Sequence, residues 1–227
     1  PLSLIAGGTG LVGSHVIKAL SKKSGAQIIL ARSFDSEIPQ NADLQIINFD
    51  SLSSNKVKLK NDIDHVYLCL GKRLSTHELG YMQHSARESF KLIDFEYPLS
   101  IAKLAYDSGA RSIALVSAVG AQEGSFNYYF HIKGKLENEI KKIGYENICF
   151  ARPGHLLGAR KDFRGYEIPI LESGLRIAAP FMQGPLKNFR QIEARQVAER
   201  MVMNLLNKQK GESYLYYEDF LKTETFE

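Results

Sequence analysis

Cysteine is scarce in this chain: 227 residues contain only two. Cys69 and Cys149 each sit inside an apolar run, Val66-Tyr67-Leu68-Cys69-Leu70 and Ile148-Cys149-Phe150-Ala151. That excludes a disulfide framework and reads as buried strand thiols. No apolar stretch is long enough to span a bilayer, and no charged-then-apolar leader opens the chain, so a reducing cytoplasm is the expected compartment. Charge of one sign is not in excess either: 29 Lys and Arg against 25 Asp and Glu leave +4. The pairs Lys22-Lys23 and Lys141-Lys142 fall near expected helix ends, where cations are favourable, so no nucleic-acid surface is expected. Six histidines are scattered, and His77-Glu78 lacks the second histidine of H-E-x-x-H, so no metal site is expected. A Walker-type G-K-[ST] and a G-x-S-x-G elbow are absent, as are internal repeats.

What is present is alternation. A hydrophobic content of 44% with 24% charged residues is ordinary for a globular chain of this length, enough for one well-buried domain. Continuous apolar runs at 2–6, 27–31, 44–49, 65–70, 112–117 and 147–151 read as strands. Leu11, Val12, Val16, Ile17 and Leu20 recur at helical spacing, and Gly25 stops that helix. A long loop is expected over 72–84. Helices are expected over 86–108, bent near Pro98, over 127–143 and over 192–206. Strands alternating with helices, with runs apolar throughout, predict an α/β fold: a Rossmann-type doubly wound parallel sheet, with ligands at the carboxyl ends of its strands. From 155 onward the pattern loosens. Residues 1–227 are read as a single NAD(P)-binding domain, with a cofactor-binding core over 1–154 and a small substrate-side lobe over 155–227.

The first strand flows into Gly7-Gly8-Thr9-Gly10-Leu11-Val12-Gly13. Glycines at 7, 10 and 13 allow a tight turn, close approach of backbone to a pyrophosphate, and packing of the new helix on the strand. The helix N-terminus then faces the phosphates. In NAD-binding sheets an acid about 20 residues further on takes the ribose hydroxyls; here Arg32 stands in that place. A guanidinium pairs with a 2′-phosphate and Ser33 adds a hydroxyl, so NADP(H) is favoured over NAD(H). Asp35 or Glu37 could serve the ribose instead if the loop folds back. Asp50 ends the third strand at the same edge, either to accept from the adenine amino group or simply to form a turn.

Tyr129 and Lys133 are four apart on an expected helix and share a face. An ammonium beside a phenol favours the phenolate, so the tyrosine pKa is expected below its usual value near 10. That makes Tyr129 a candidate proton donor and acceptor near neutral pH. Arg160, Lys161 and Arg164 form a basic cluster beyond the sixth strand, either a solvated loop or a hold for an acidic substrate.

The glycine loop, Tyr129-x-x-x-Lys133 and Arg152-Pro153-Gly154 together resemble the short-chain dehydrogenase/reductase superfamily, in its atypical and extended branches. Asp94 to Leu157 resembles more closely its Tat-interacting-protein-like group of NADP-binding oxidoreductases. Cys69-Leu70-Gly71, Leu115 to Ala121, Tyr129 to Gly134 and Arg152-Pro153-Gly154 carry this. The likeness covers most of 2–206 and thins beyond 157. It implies that Gly7, Gly10 and Gly13 hold the pyrophosphate, with Thr9, Leu11 and Val12 lining the turn. It implies further that Arg32 takes the 2′-phosphate and that Leu70 and Gly71 flank the adenine ribose. Tyr129 would be the catalytic acid/base, Lys133 would bond the nicotinamide ribose and hold the tyrosine pKa down, and Pro153, Gly154 and His155 would sit beside the nicotinamide. The group carries a Ser-Ser or Ser-Thr step after the fifth strand; this chain has Ser117-Ala118. Ser117 could act from the first position, or Ser125 could substitute.

The expected function is therefore an oxidoreductase that moves hydride between NADPH and a small carbonyl or alcohol substrate. The alternative is an NADPH-binding regulatory or sensor protein that turns nothing over; an epimerase with tightly held NAD fits less well, given Arg32 and the short C-terminal part. A homo-oligomer is compatible with the pattern.

Overall fold

The computed structural model describes residues 1–23, 25–34, 37–54, 59, 62–158, 182–207 and 210–222. Strands β1 (Leu2–Ala6), β2 (Ala26–Ala31), β3 (Ala42–Ile46), β4 (His65–Leu68), β5 (Ser112–Val116) and β6 (Asn147–Ala151) follow the expected runs. With β9 (Gly211–Leu215) they form a seven-stranded sheet in the order β3-β2-β1-β4-β5-β6-β9, every neighbouring pair parallel. The order reverses between β1 and β4, where Leu4 pairs with Ile28 on one side and Val66 on the other. A crevice opens at such a switch point, beyond the strand carboxyl ends.

Helices cover both faces, as apolar-throughout strands require. On one face, α1 (Leu11–Ser21) and α6 (Ala194–Leu206) pack together, burying Val12, Val16, Val197 and Met201 against Ile5, Ala114 and Cys149. On the other, α4 (Tyr97–Asp107) and α5 (Tyr128–Lys141) bury Ile101, Ala105, Leu136 and Ile140 against Leu4, Ile113 and Phe150. Full burial of such a side chain contributes about 1.5–3 kcal/mol, so the two clusters supply the main favourable term.

Three elements differ from expectation. The third strand ends at Ile46, and Phe49–Ser54 is a 3-10 helix. The expected loop over 72–84 contains α2 (Thr76–Gly80), closed by a capping box in which Ser75 and Glu78 satisfy each other's backbone N–H groups; the Ser-x-x-Glu spacing carries that signal. The long helix is α3 (His84–Lys91), a π-helical turn over Leu92–Glu96, then α4. Pro98 has no N–H for the carbonyl of Asp94, and the Tyr97 N–H reaches back to Leu92 O, so the ladder widens by one residue there.

The C-terminal part contributes to the core as well as to the site. Among the described residues between β6 and α6 stand β7 (Leu156–Leu157), a 3-10 turn (Gly184–Phe189) and β8 (Ile192–Glu193), with β7 and β8 paired. The seventh strand is then fastened by Arg152, whose Nε and Nη2 donate to buried Glu137 at 3.0 and 2.5 Å and whose Nη1 donates to Tyr216 Oη at 2.8 Å. A short helix, α7 (Tyr217–Leu221), follows β9.

Candidate functional site

The glycine loop is a cradle with no room for side chains. Gly7 has φ +86°, and a Cβ there would lie 2.6 Å from the Cys69 carbonyl carbon. A Cβ on Gly13 would lie 2.1 Å from Gly7 O, so α1 rests directly on the turn. The Gly10 N–H donates to Gly7 O at 3.0 Å. Gly10 is also the N-cap of α1, with no side-chain cap and no acidic residue in the first turn. The helix therefore presents bare N–H groups where an anion would sit. Thr9 is exposed at the tip, and Val12 is buried in the core, so Val12 offers only its backbone. Leu11 lies under the chain that follows β7, where a Cβ on Gly158 would be 2.5 Å from Leu11 Cδ1.

Arg32 and Ser33 are exposed just past β2, and Glu37 is exposed beyond them; Asp35 lies outside the described residues. Asp50 is exposed in the first turn of the 3-10 helix, its N–H bonded to Asn48 Oδ1 at 2.9 Å. Its carboxylate Oδ1 accepts a hydrogen bond from Tyr97 Oη. Burial raises the Tyr97 pKa, the bond to Asp50 raises it further, and the Arg32 charge pulls the other way, so Arg32, Asp50 and Tyr97 share one corner. Leu70 is half-buried against the same cluster as Tyr97. Tyr97 carries no local sequence signal, since its partner comes from a distant strand end.

Beyond the carboxyl end of β5, Asn127 caps α5, its Oδ1 accepting from the N–H groups of Tyr129 and Phe130 at 2.9 and 3.3 Å. This fixes Tyr129 in the first turn and Lys133 one turn on. Lys133 Nζ lies 6.0 Å from the Tyr129 ring centroid and 2.8 Å from Asp94 Oδ1, with the Lys133 and Asp94 side chains 5% and 1% exposed. Asp94 sits in the π-helical turn, and its Oδ2 accepts the Lys72 N–H at 2.7 Å. A Cβ on Gly71 would lie 3.4 Å from Asp94 Oδ1 and 4.0 Å from Lys133 Nζ, so Gly71 belongs to this end as well. Asp94 is the residue that helical spacing around Tyr129 could not disclose. Burial works against the Lys133 ammonium, but Asp94, Tyr129 and Glu137 together hold its pKa above the usual lysine range.

The expectation of a depressed Tyr129 pKa is corrected here. Burial raises it, Lys133 lowers it, and Asp94 raises it again, with the balance above the ordinary tyrosine value. The Lys133 charge is already matched by a carboxylate, and Tyr129 packs against Phe90 at 5.7 Å between centroids, so its phenolate is poorly solvated.

Ser117 Oγ is buried and has no hydrogen-bond partner among the described residues, and Ala118 beside it is buried. Ser125 Oγ instead accepts the Asn127 N–H at 3.2 Å and shapes the approach to α5. Pro153 O accepts the Val119 N–H at 3.1 Å, and His155 O accepts the Ile192 N–H at 2.9 Å. Gly154 lies beneath the turn before β8, since a Cβ there would be 2.8 Å from Asn188 O and Arg190 O. Arg160, Lys161 and Arg164 lie outside the described residues. The glycine turn closed to a Cβ at Gly7 and Gly13, the exposed cation past β2 and the buried lysine on α5 after β5 fit a nicotinamide dinucleotide laid across the strand ends.

Comparison with known proteins agrees with this geometry. Solved structures with the same fold include UDP-glucose 4-epimerase from Thermotoga maritima (TM-score 0.65, 14% identity, covering 95% of this chain and 77% of that one). Human epimerase family protein SDR39U1, solved with NADPH, gives a TM-score of 0.64 at 16% identity over 95% of this chain and 74% of that one. Curated relatives include "Protein FMP52, mitochondrial" of Candida albicans, 30% identical over 190 residues (82% of this chain and 80% of that protein). The Kluyveromyces lactis protein of the same name is 30% identical over 168 residues, 72% of this chain and 71% of that protein. These names overturn the expected cytoplasmic location, for which cysteine usage and the lack of a visible leader were the grounds; neither separates the cytosol from a mitochondrial address. No helix among the described residues is long and apolar enough to cross a membrane. The resemblance drawn from the glycine loop, the Tyr-x-x-x-Lys pair and the Arg-Pro-Gly step is borne out by a family match over residues 3–167: the chain belongs to the NAD dependent epimerase/dehydratase family.

Proposed function

We propose that this protein is an NADP(H)-dependent oxidoreductase that reduces a small carbonyl compound to an alcohol, or runs the reverse, at or in mitochondria as its relatives' names indicate. The observation that carries the reading is the buried Lys133–Asp94 pair fixed beside Tyr129 in the first turns of α5. A buried ion pair is costly to desolvate and is weak evidence for stability alone; here it stands at the strand carboxyl ends, where ligands bind in this fold.

Gly7, Gly10 and Gly13 would hold the pyrophosphate, Arg32 and Ser33 the 2′-phosphate, and Leu70 and Gly71 the adenine ribose. Lys133, oriented by Asp94, would bond the nicotinamide ribose, with Pro153, Gly154 and His155 closing over the ring. When bound, the cofactor supplies or accepts the hydride. Tyr129 is held as a neutral phenol at neutral pH, because burial raises its pKa. It is therefore primed to donate its proton to the substrate oxygen as the carbonyl carbon is reduced. The adjacent Lys133 ammonium steadies the phenolate left behind, and proton return from solvent completes the cycle. The unpartnered Ser117 Oγ is available to orient the substrate oxygen.

A second reading, a sensor that binds NADPH without turnover, is favoured by Ala118 in place of the second serine or threonine of the Ser-Ser or Ser-Thr step. Titrating the protein with NADPH and NADH, then following NADPH oxidation against a carbonyl panel, separates the two. Turnover with NADPH supports the reductase. Tight NADPH binding with no oxidation across the panel supports the sensor.

A further inference from the structure

One helical turn serves both ends of the proposed cofactor site. Asp94 and Tyr97 are three residues apart, at the π-helical turn and the start of α4. Asp94 holds Lys133 at the nicotinamide end; Tyr97 donates to Asp50 at the adenine end. The two carboxylates differ in exposure. Asp94 is buried, whereas Asp50 is exposed at the strand-end surface and is met from behind by a phenol only 7% exposed. The Tyr97 ring is itself fixed, edge-on to Phe49 with centroids 5.5 Å apart. Ile47 and Leu70, half-buried, pack against the cluster that contains both rings. The corner thus offers apolar side chains and a carboxylate locked in orientation. A flat heterocycle with an exocyclic amine matches it: the apolar groups cover a ring face, and a carboxylate accepts from an amine but repels a carbonyl oxygen.

We propose that Tyr97 is a positioning residue for base recognition, holding Asp50 so that the site selects a 6-aminopurine nucleotide over a 6-oxopurine one, while Arg32 at the same corner reads the 2′-phosphate. This inference rests on the reading that the site binds NADP(H). It assigns the π-helical turn a purpose beyond accommodating Pro98: the widened ladder lets one turn set the Lys133 ammonium and the Asp50 carboxylate together.

The test is equilibrium binding of NADPH and of its hypoxanthine analogue to the full chain, read by cofactor fluorescence in a protein that has no tryptophan. The unaltered protein should favour the adenine form by about tenfold, the worth of one hydrogen bond to a charged group. Tyr97→Phe keeps the ring and removes the hydroxyl, and the preference should fall to within about twofold. Asp50→Asn should do the same from an exposed position, which keeps the test valid if Tyr97→Phe folds poorly, and the double variant should lose no more than either single one. Arg32→Ala should weaken both nucleotides in parallel and leave their ratio unchanged. An adenine preference that survives Tyr97→Phe and Asp50→Asn overturns the inference while leaving the cofactor reading intact. A chain that binds neither NADPH nor NADH overturns both.

Discussion

Tyr129 and Lys133 were legible because helical spacing puts residues four apart on one face, and the structure places them on the same end of α5. Their surroundings were not legible. Asp94 and Tyr97 act through contacts made only after the chain folds, and burial, reinforced by Asp94, turns the Tyr129 pKa upward against the pull of Lys133. The consequence is a pH signature. A half-buried Tyr129 whose pKa is raised by desolvation stays protonated through neutral and mildly alkaline pH. The rate of carbonyl reduction should therefore stay level from about pH 7 to 9, below the ordinary tyrosine value, and fall only above it; a fall already near neutrality would mean that Lys133 dominates. Arg32 is exposed just past β2, and the proposed reading gives it the 2′-phosphate. Arg32→Ala should raise the NADPH dissociation constant about tenfold or more and leave that for NADH within about twofold, as measured by titration.

Among elements, the glycine loop and the strands were legible because each is a local pattern, and their order predicted the doubly wound sheet. The π-helical turn was visible only as a bend near Pro98, since the missing N–H is a local fact but the partner that uses the widened turn is remote. A different cause hid α2: its Ser75–Glu78 capping box is a local signal, but the segment has no apolar period to announce a helix. The turn that holds Asp94 should be where the site is most costly to disturb. Asp94→Ala leaves the Lys133 ammonium buried without its counter-charge, and removing one partner of a buried pair costs about 3–5 kcal/mol. Denaturant unfolding should show that loss, and Asp94→Ala combined with Lys133→Met should recover part of it. An Asp94→Ala protein as stable as the parent would mean that the pair is not formed.

For the whole molecule, the fold class was legible and the C-terminal part only partly so. The spacing announced the helix over 192–206, but nothing local said that Gly211–Leu215 would join β6 as the seventh strand or that Arg152 and Glu137 would fasten it. Stability should carry the imprint of burial across the sheet. Tyr67, Tyr129 and Tyr145 all have pKa values raised first by burial, and burial pushes Cys69 and Cys149 up to about 12. Each group keeps its proton in the folded chain but loses it in the unfolded one as pH climbs past the ordinary value. That part of the stability is complete below about pH 8, under the ordinary thiol and phenol values, and is lost as pH rises toward the folded values; thermal melts from pH 7 to 11 should decline accordingly. The central claim is that the bound nucleotide is used and not only held, and one paired measurement addresses it most directly: NADPH affinity and carbonyl-dependent NADPH oxidation for the parent chain and Tyr129→Phe side by side. The account predicts affinity within about twofold and turnover lower by at least about a hundredfold, the usual contribution of a general acid. Equal turnover by Tyr129→Phe, or none by the parent chain on any carbonyl, would contradict it.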